Sequence, residues 1–314
     1  MEQIIDNHDE VLKFMNTSNV GGNNRKSVRT FDFKTLYTKI PHAGLKENVE
    51  IFVRRVFGHK KKHFIIVTGR NAYFSNKRSK KHLSFNMAEF LKLVDFVIDN
   101  SYVVYQNKVY RQIIGIPMGT NCAPDLANIY LHVFEYDYIH TLISNNNLDL
   151  AGKLCHLFRY QVDLIVFEDD WLFETLVRDI YPLVMELENT NLSPYKSTYL
   201  DMMISVHRGR YFYKSFDKRN DFGFDIINYP DIRGNIPKKP AYGVFVSQLV
   251  RLCSINKSVH HYKRDTRVLV QKLMSKGFSK VRLCAKFRQY CFKNLHVWSK
   301  YGINILQKFQ TIFQ

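Results

Sequence analysis

A mixed α/β body running into an α-helical, strongly basic tail is the architecture this 314-residue sequence predicts. Three observations predict it. Alternating apolar and polar runs interrupted by turn residues mark hairpins, as in "YVVYQNKVYRQIIG" around Gln106-Asn107 and "YLDMMISVHRGRYFYKSFD" around Arg208-Gly209. Apolar residues at three- and four-residue spacing mark helices between them. The charge is also uneven. Against 28 Asp+Glu the chain carries 46 Lys+Arg, a formal net charge of +18. From Arg251 to Lys300 thirteen Lys or Arg face a single acid, Asp265, so +12 of that excess lies in one window. A block of this size suits a polyanion, most often nucleic acid, or is simply a solvated basic face.

Element by element, an acidic N-terminus with a short amphipathic helix leads to the flexible joint "VGGNNRKS" (20–27). "VRTFDFKTLYTKIPH" reads as a core strand leaving into a turn at Pro41. "GLKENVEIFVRRVFG" shows a helical stripe of Leu45, Val49, Ile51, Phe52 and Val56, closed by Gly58. A second helix, "NMAEFLKLVDFVIDN", precedes the first hairpin. The Gly/Pro loop "GIPMGTNCAP" then opens the helix "DLANIYLHVFEYDYIHTLI". "RYQVDLIVFEDD" reads as strand, tight turn, strand, and "WLFETLVRDIYPLVMELEN" as one helix. After the second hairpin the chain passes "NIPKKPAYG" and becomes helical and basic from about Ala241.

Several classes are disfavoured. No run of about 18 apolar, uncharged residues occurs, and the first residues are acidic where a secretory signal is basic, so an intracellular protein without a membrane partner is expected. Five scattered cysteines without a Cys-x-x-Cys pair fit reduced thiols. The histidines of "HKKKH" (59–63) and His260-His261 lack ligand spacing. "NKRSKKH" (76–82) has the look of a nuclear-import cluster or of an ordinary basic loop; a nuclear location is expected ahead of a cytoplasmic one.

The chemistry centres on carboxylates. Asp32 interrupts the apolar strand "TFDFKTLY", where burial is costly unless a cation or hydrogen bonds receive the charge. Asp163 sits at the tip of an apolar hairpin. Carboxylates converging on a sheet surface suit two Mg²⁺ ions ~3.5–4 Å apart and in-line phosphoryl transfer. Tyr37, five residues after Asp32, by itself reads first as a core tyrosine. In the loop, Gly115 and Gly119 permit close backbone approach and Pro117 fixes the path between them, a weak signal in isolation.

Taken together and in this order, "FDFKTLYTKIPH", "GIPMGTNCAPDLAN" and "FRYQVDLIVFEDD" resemble the palm motifs of reverse transcriptases, and more closely the Penelope-like element family, relatives of telomerase. The resemblance continues through "STYLDMMISV", "SFDKRNDFGFDIINYP", "GNIPKKPAYGVFVSQLVR" and "KLMSKGFSKVRL", from about Thr30 to Tyr301. It implies a right-hand polymerase palm, an antiparallel sheet backed by helices, followed by a helical thumb. The implied segments are an N-terminal helix and linker over 1–29, a palm with finger remnants over 30–240, and a thumb-like region over 241–314.

The implied activity is that of a retroelement's RNA-directed DNA polymerase, adding deoxynucleoside triphosphates to a primer 3′-OH on an RNA template with two Mg²⁺ ions. On this resemblance Asp32 and Asp163 are catalytic metal ligands, with the Phe33 backbone assisting. Tyr37 excludes a ribose 2′-OH, and Gly115, Pro117, Met118 and Gly119 pack against the incoming nucleotide and template base. Lys263, Arg264, Arg267, Lys272, Lys276, Lys280, Arg282, Lys286 and Arg288 grip the template–primer duplex through its phosphates.

The sequence departs from that pattern in three places. Where relatives carry two adjacent aspartates at the hairpin tip, this chain has Val162 and then Asp163. Glu168, Asp169 and Asp170 cannot stand in, because Glu168 lies roughly 16 Å beyond Asp163 along a strand. Few residues precede Asp32, so the fingers are expected to be largely missing, and no GIY-YIG endonuclease is expected after the closing "KYGINILQKFQTIFQ". The expectation is a polymerase impaired at Val162 or, alternatively, a non-catalytic nucleic-acid-binding remnant keeping palm and thumb.

Overall fold

The computed structural model describes residues 3–5, 7–20, 26–167, 172–224, 226–302, 309 and 312. They form two compact units, one of residues 1–7 and 29–190, the other of residues 8–28 and 191–314. The boundaries of these units fall within the expected segments 1–29 and 30–240, whereas 241–314 lies wholly in the second unit.

The first unit begins with β1 (Gln3–Ile4); α1 (Asp9–Ser18) belongs to the second. Then follow β2 (Val28–Lys34), α2 (Leu36–Lys39), α3 (His42–Lys60), β3 (Phe64–Val67), β4 (Ala72–Ser75), β5 (Leu83–Asn86) and α4 (Met87–Asp99). After β6 (Tyr102–Tyr105) and β7 (Lys108–Arg111) come α5 (Ala123–Ser144) and α6 (Leu148–Leu154). β8 (Leu157–Tyr160), β9 (Asp163–Phe167), α7 (Leu172–Ile180) and β10 (Glu186–Asn189) complete it.

The principal sheet has the order β1-β8-β9-β2-β10, with β8 antiparallel to β9 and β10 antiparallel to β2. One face is packed by helices. Phe31 and Phe33 of β2, Leu157 of β8, and Leu164 and Val166 of β9 share a core with Leu45 and Val49 of α3, Leu126 and Tyr130 of α5, and Phe173 of α7. Strand periodicity then turns Asp32, Tyr160 and Asp163 to the opposite face.

The hairpin of β6 and β7 turns at Gln106 (φ 47°) and Asn107 (φ 60°), as the sequence predicts. The Asn86 capping box fixes the start of α4, its side chain accepting from the Glu89 N–H while Glu89 accepts from the Asn86 N–H.

Three local expectations are corrected. The strand at Asp32 ends at Lys34, because Thr35 takes a left-handed φ of 59° and the chain coils into α2 before Pro41. α3 runs past Gly58 and is capped by Lys61, also left-handed at φ 50°. The helix expected over 171–189 stops at Ile180: Pro182 has no N–H to continue it, and Glu186–Asn189 joins the sheet as β10. Glu168, Asp169 and Asp170 lie outside the described residues.

In the second unit β11 (Lys196–Tyr199), β12 (Met202–His207) and β13 (Arg210–Ser215) form an antiparallel sheet in that order, with the expected turn at Arg208 (φ 48°) and Gly209 (φ 67°). A 3₁₀ turn (Lys218–Asp221) follows, then α8 (Lys238–Ile255), α9 (Val259–Ser275), α10 (Lys280–Lys293) and α11 (Leu295–Tyr301). These helices share a separate core built on Phe245, Leu249, Tyr262, Leu273 and Phe287. No helix among the described residues is long and apolar enough to cross a membrane, and none of the five cysteines is in a disulfide.

A buried ionic network ties the β8–β9 hairpin to α5. Arg159 is fully buried and donates from Nε and Nη2 to the Glu135 carboxylate at 2.8 Å each, while the Tyr181 hydroxyl donates to Glu135 at 2.6 Å. Removing one partner of a buried pair strands the other charge. Glu135→Ala is therefore expected to cost about 3–5 kcal/mol in urea unfolding, whereas replacing Glu50, which pairs with Arg54 at the surface, changes stability by less than ~1 kcal/mol.

Candidate active site

Asp32 and Asp163 stand on neighbouring strands of one sheet and on the same, non-helical face. The strands meet at the hairpin tip, where the Phe33 N–H donates to the Val162 carbonyl at 3.1 Å. Gln161 (φ 53°) and Val162 form the two-residue turn, and Asp163 opens β9 opposite Tyr160. Val162 is half-buried and packs against the helical core cluster.

Arg159 holds this turn from below. Its Nη1 donates to Asn128 Oδ1 at 2.7 Å and to the Gln161 carbonyl at 3.3 Å. Asn128 is the last residue of "GIPMGTNCAPDLAN", so one guanidinium links two of the segments singled out in the sequence.

The Gly/Pro loop is zipped onto α2 and the residue after it. The Gly115 N–H donates to the Ile40 carbonyl at 2.7 Å and the Ile116 N–H to the Tyr37 carbonyl at 2.6 Å. His42 Nε2 lies 2.7 Å from the Gly115 carbonyl, and Pro41 bridges to Ile114. These bonds set Tyr37 beside the loop. Burial, with Tyr160 and Asp125 alongside, pushes the Tyr37 hydroxyl up from its ordinary range. Pro117 is half-buried, Met118 is 75% exposed, and Gly119 (φ 105°) is exposed. Behind the loop, a cavity of about 400 Å³ is lined by His42, Leu45, Ile98, Tyr102, Pro117 and Leu126 among others.

Two further acids on this face were missed in the sequence: Glu186, which lies opposite Lys34 and pairs with Lys39 at 2.6 Å, and Glu188. Glu188 of β10 lies directly opposite Asp32 in the ladder, but its carboxylate is 3.1 Å from Lys34 Nζ. Its signal was hidden because 171–189 carries a helical pattern. Among the described residues no three Asp, Glu, His or Cys side chains are placed to hold a metal ion. Two Mg²⁺ ions carry +4, and the donors Asp32 and Asp163 supply only −2. The residues present therefore fall short of a two-ion site.

Of the basic residues expected to grip a duplex, Lys263, Arg264, Arg267, Lys272 and Lys276 lie on or next to α9, and Lys280, Arg282, Lys286 and Arg288 on α10. Arg264, Arg267, Arg282 and Arg288 are exposed, whereas the five lysines are half-buried. Arg264 is already paired with Asp265 at 2.7 Å and Lys272 stands 3.6 Å from Asp217.

The loop's close approach makes Gly115 (φ 81°) sterically specific, since a Cβ there would meet the Tyr37 carbonyl oxygen at 2.5 Å and Thr38 Cα at 2.8 Å. Gly115→Ala is expected to lower the melting temperature by several degrees, the left-handed backbone alone costing roughly 1–2 kcal/mol. Gly119→Ala meets no atom within 4 Å and bears only the backbone cost. Equal melting temperatures for the two variants would contradict the close packing of the loop on Tyr37 and Thr38.

No family model and no curated protein matches this sequence. Solved structures do. A structure of telomerase from Candida albicans, in complex with a TWJ fragment of telomeric RNA, is similar over 99% of this chain and 50% of its own, with a TM-score of 0.57 and 11% identity. Apo telomerase from Candida tropicalis is similar over 99% of this chain and 54% of its own, with a TM-score of 0.49 and 12% identity. The chain thus spans about half the length of the telomerase chains it matches. At such identity the likeness to the Candida albicans structure shows the fold: the chain has a reverse-transcriptase-like fold of the telomerase type.

Proposed function

We propose that the chain is the palm and thumb of an RNA-directed DNA polymerase of a Penelope-like retroelement, impaired in nucleotidyl transfer because Val162 replaces a metal-binding aspartate. The observation that carries this reading is the convergence of three segments. Asp32 and Asp163 share one sheet face, the Phe33–Val162 backbone bond joins their strands, and the Gly115–Ile116 loop is bonded to Tyr37 and Ile40. The likeness in fold to telomerase supports the same class.

In this reading Asp32 and Asp163, with the Phe33 backbone, are the remaining Mg²⁺ ligands, and ion binding is weakened. Tyr37 checks the sugar of a deoxynucleoside triphosphate, and Gly115, Pro117, Met118 and Gly119 border the nucleotide. The basic helices α9 and α10 hold the RNA template and DNA primer. The cluster at residues 76–82 directs the protein to the nucleus. That cluster forms the connection between β4 and β5, with Arg78 bonded to Glu89 at 2.5 and 2.6 Å and Lys77, Lys80 and Lys81 exposed.

Primer extension with Mg²⁺ tests the proposal directly. Val162→Asp is expected to raise extension at least tenfold over the parent. The backbone at this position already adjoins Phe33, the residue next to Asp32. Equal activity of parent and variant, with both folded, would overturn Val162 as the defect.

The basic window favours a second reading, a nucleic-acid-binding protein without catalysis. Its affinity for an RNA–DNA duplex is expected to be indifferent to Mg²⁺ and to fall about 10³–10⁵-fold between 50 and 200 mM salt if six to ten cations engage. A nearly flat salt dependence in a filter-binding series would rule it out.

A further inference from the structure

A cleft of about 720 Å³ lies wholly within the second unit, between the segment after the 3₁₀ turn and the end of α9. Arg219, Lys272 and Lys276 line it together with Phe222, Phe224 and Tyr229. The two phenylalanines are exposed, Phe224 to 67%, yet their rings meet with centroids 5.6 Å apart at 53°. Leaving such rings in water forgoes hydrophobic stabilisation, so an exposed pair walling a cleft points to a ligand with an apolar face.

The cations are prearranged. Asp217 accepts from Arg219 Nε at 2.7 Å and from Nη2 at 3.1 Å, which fixes the plane of the guanidinium, and its carboxylate stands 3.6 Å from Lys272 Nζ. Asp217 does not itself line this cleft, and it offsets only one of the three positive charges. The combination therefore calls for an anion bearing a flat face. Unpaired nucleotides supply both, since a base has a π-face and each link carries a phosphate. In a duplex the base faces are covered by their neighbours, so only the cations could engage. An acidic peptide would meet the cations but present no flat surface to two adjacent rings.

We propose that this cleft is a single-stranded nucleic-acid subsite, in which an unpaired base stacks on Phe222 and Phe224 while flanking phosphates meet Arg219, Lys272 and Lys276. The subsite belongs to the second unit and the carboxylate face to the first, and its binding does not depend on nucleotidyl transfer.

The full chain is titrated into fluorescein-labelled twelve-nucleotide oligo-dT and oligo-rU and into a blunt duplex, in EDTA, with fluorescence anisotropy as the readout over 50–200 mM salt. Phe224→Ala is expected to weaken single-strand binding about 5- to 150-fold, the worth of one base–aromatic stack, with duplex affinity unchanged. Lys276→Gln is expected to reduce the single-strand salt slope by about 0.7. Phe224 is largely exposed, so its variant retains the parent's melting temperature, which is measured alongside. Dependence on Phe224 in either the DNA or the RNA arm supports the subsite and shows which strand it prefers. Single-strand affinity within twofold of the parent, equal loss for strand and duplex, or displacement by polyglutamate as effective as by oligonucleotide overturns it. Because EDTA is present throughout, failure of primer extension leaves this result unaffected.

Discussion

The constraint on which the candidate site rests is the burial of Arg159. A guanidinium with no solvent exposure is tolerable only if nearly all its donors are used, since desolvating an ion costs several kcal/mol. Here a bidentate bond to Glu135 supplies the opposite charge, and Asn128 and the Gln161 carbonyl take the remaining N–H groups. The acceptors come from α5 and from the hairpin turn itself. The turn that presents Asp163 is therefore held by an interaction that cannot be loosened without exposing an unpaired charge to the core.

A second set of bonds completes the arrangement. The Gly/Pro loop starts where Gly115 pairs with Ile40, and α5, which follows it, carries Asn128 and Glu135. Beside the loop, Tyr37 and Ile40 continue the chain that has just left Asp32 in β2. Asp32 is thus linked to the loop through its own chain, and to the hairpin through the Phe33–Val162 bond. Three segments distant in sequence become one rigid surface through backbone hydrogen bonds and a single buried ion pair. Its geometry is set with little help from exposed side chains.

Much of this was legible in the sequence for a physical reason. Gln106-Asn107 and Arg208-Gly209 interrupt alternating apolar patterns, and in both hairpins the turn residues adopt the positive φ that such turns require. In the structure, strand alternation puts Asp32 and Asp163 on one face. What was hidden is instructive. Residues 171–189 carry a helical apolar stripe, yet Pro182 divides them, and the second half is claimed by the open edge of β2. Tertiary pairing overrode local pattern there, and Glu188 was hidden with it. The short strands β3, β4 and β5 went unread because "FIIV" and "AYFS" are too brief to show a period. Arg159 gave no signal either, since a lone arginine between apolar residues does not announce its partner 24 positions away.

Glu188 bears on how the carboxylate face is balanced. Directly opposed residues of an antiparallel pair bring their Cβ atoms to roughly 4.5–5.5 Å, and like charges at that spacing repel. Asp32 and Glu188 form such a pair, flanked on the other side of Asp32 by the strand of Asp163. Lys34, one pleat along β2 on the same face, draws the Glu188 carboxylate to itself at 3.1 Å. With 52% of its side chain exposed, Glu188 remains solvated in that pairing. Glu188 is thus present on the face with its charge already balanced by a neighbouring lysine, as that of Glu186 is by Lys39. At the hairpin tip, where the Phe33 N–H meets the Val162 carbonyl, the chain places a half-buried valine packed against the helical core, and Asp32 and Asp163 are the carboxylates that the two neighbouring strands present on the opposite face.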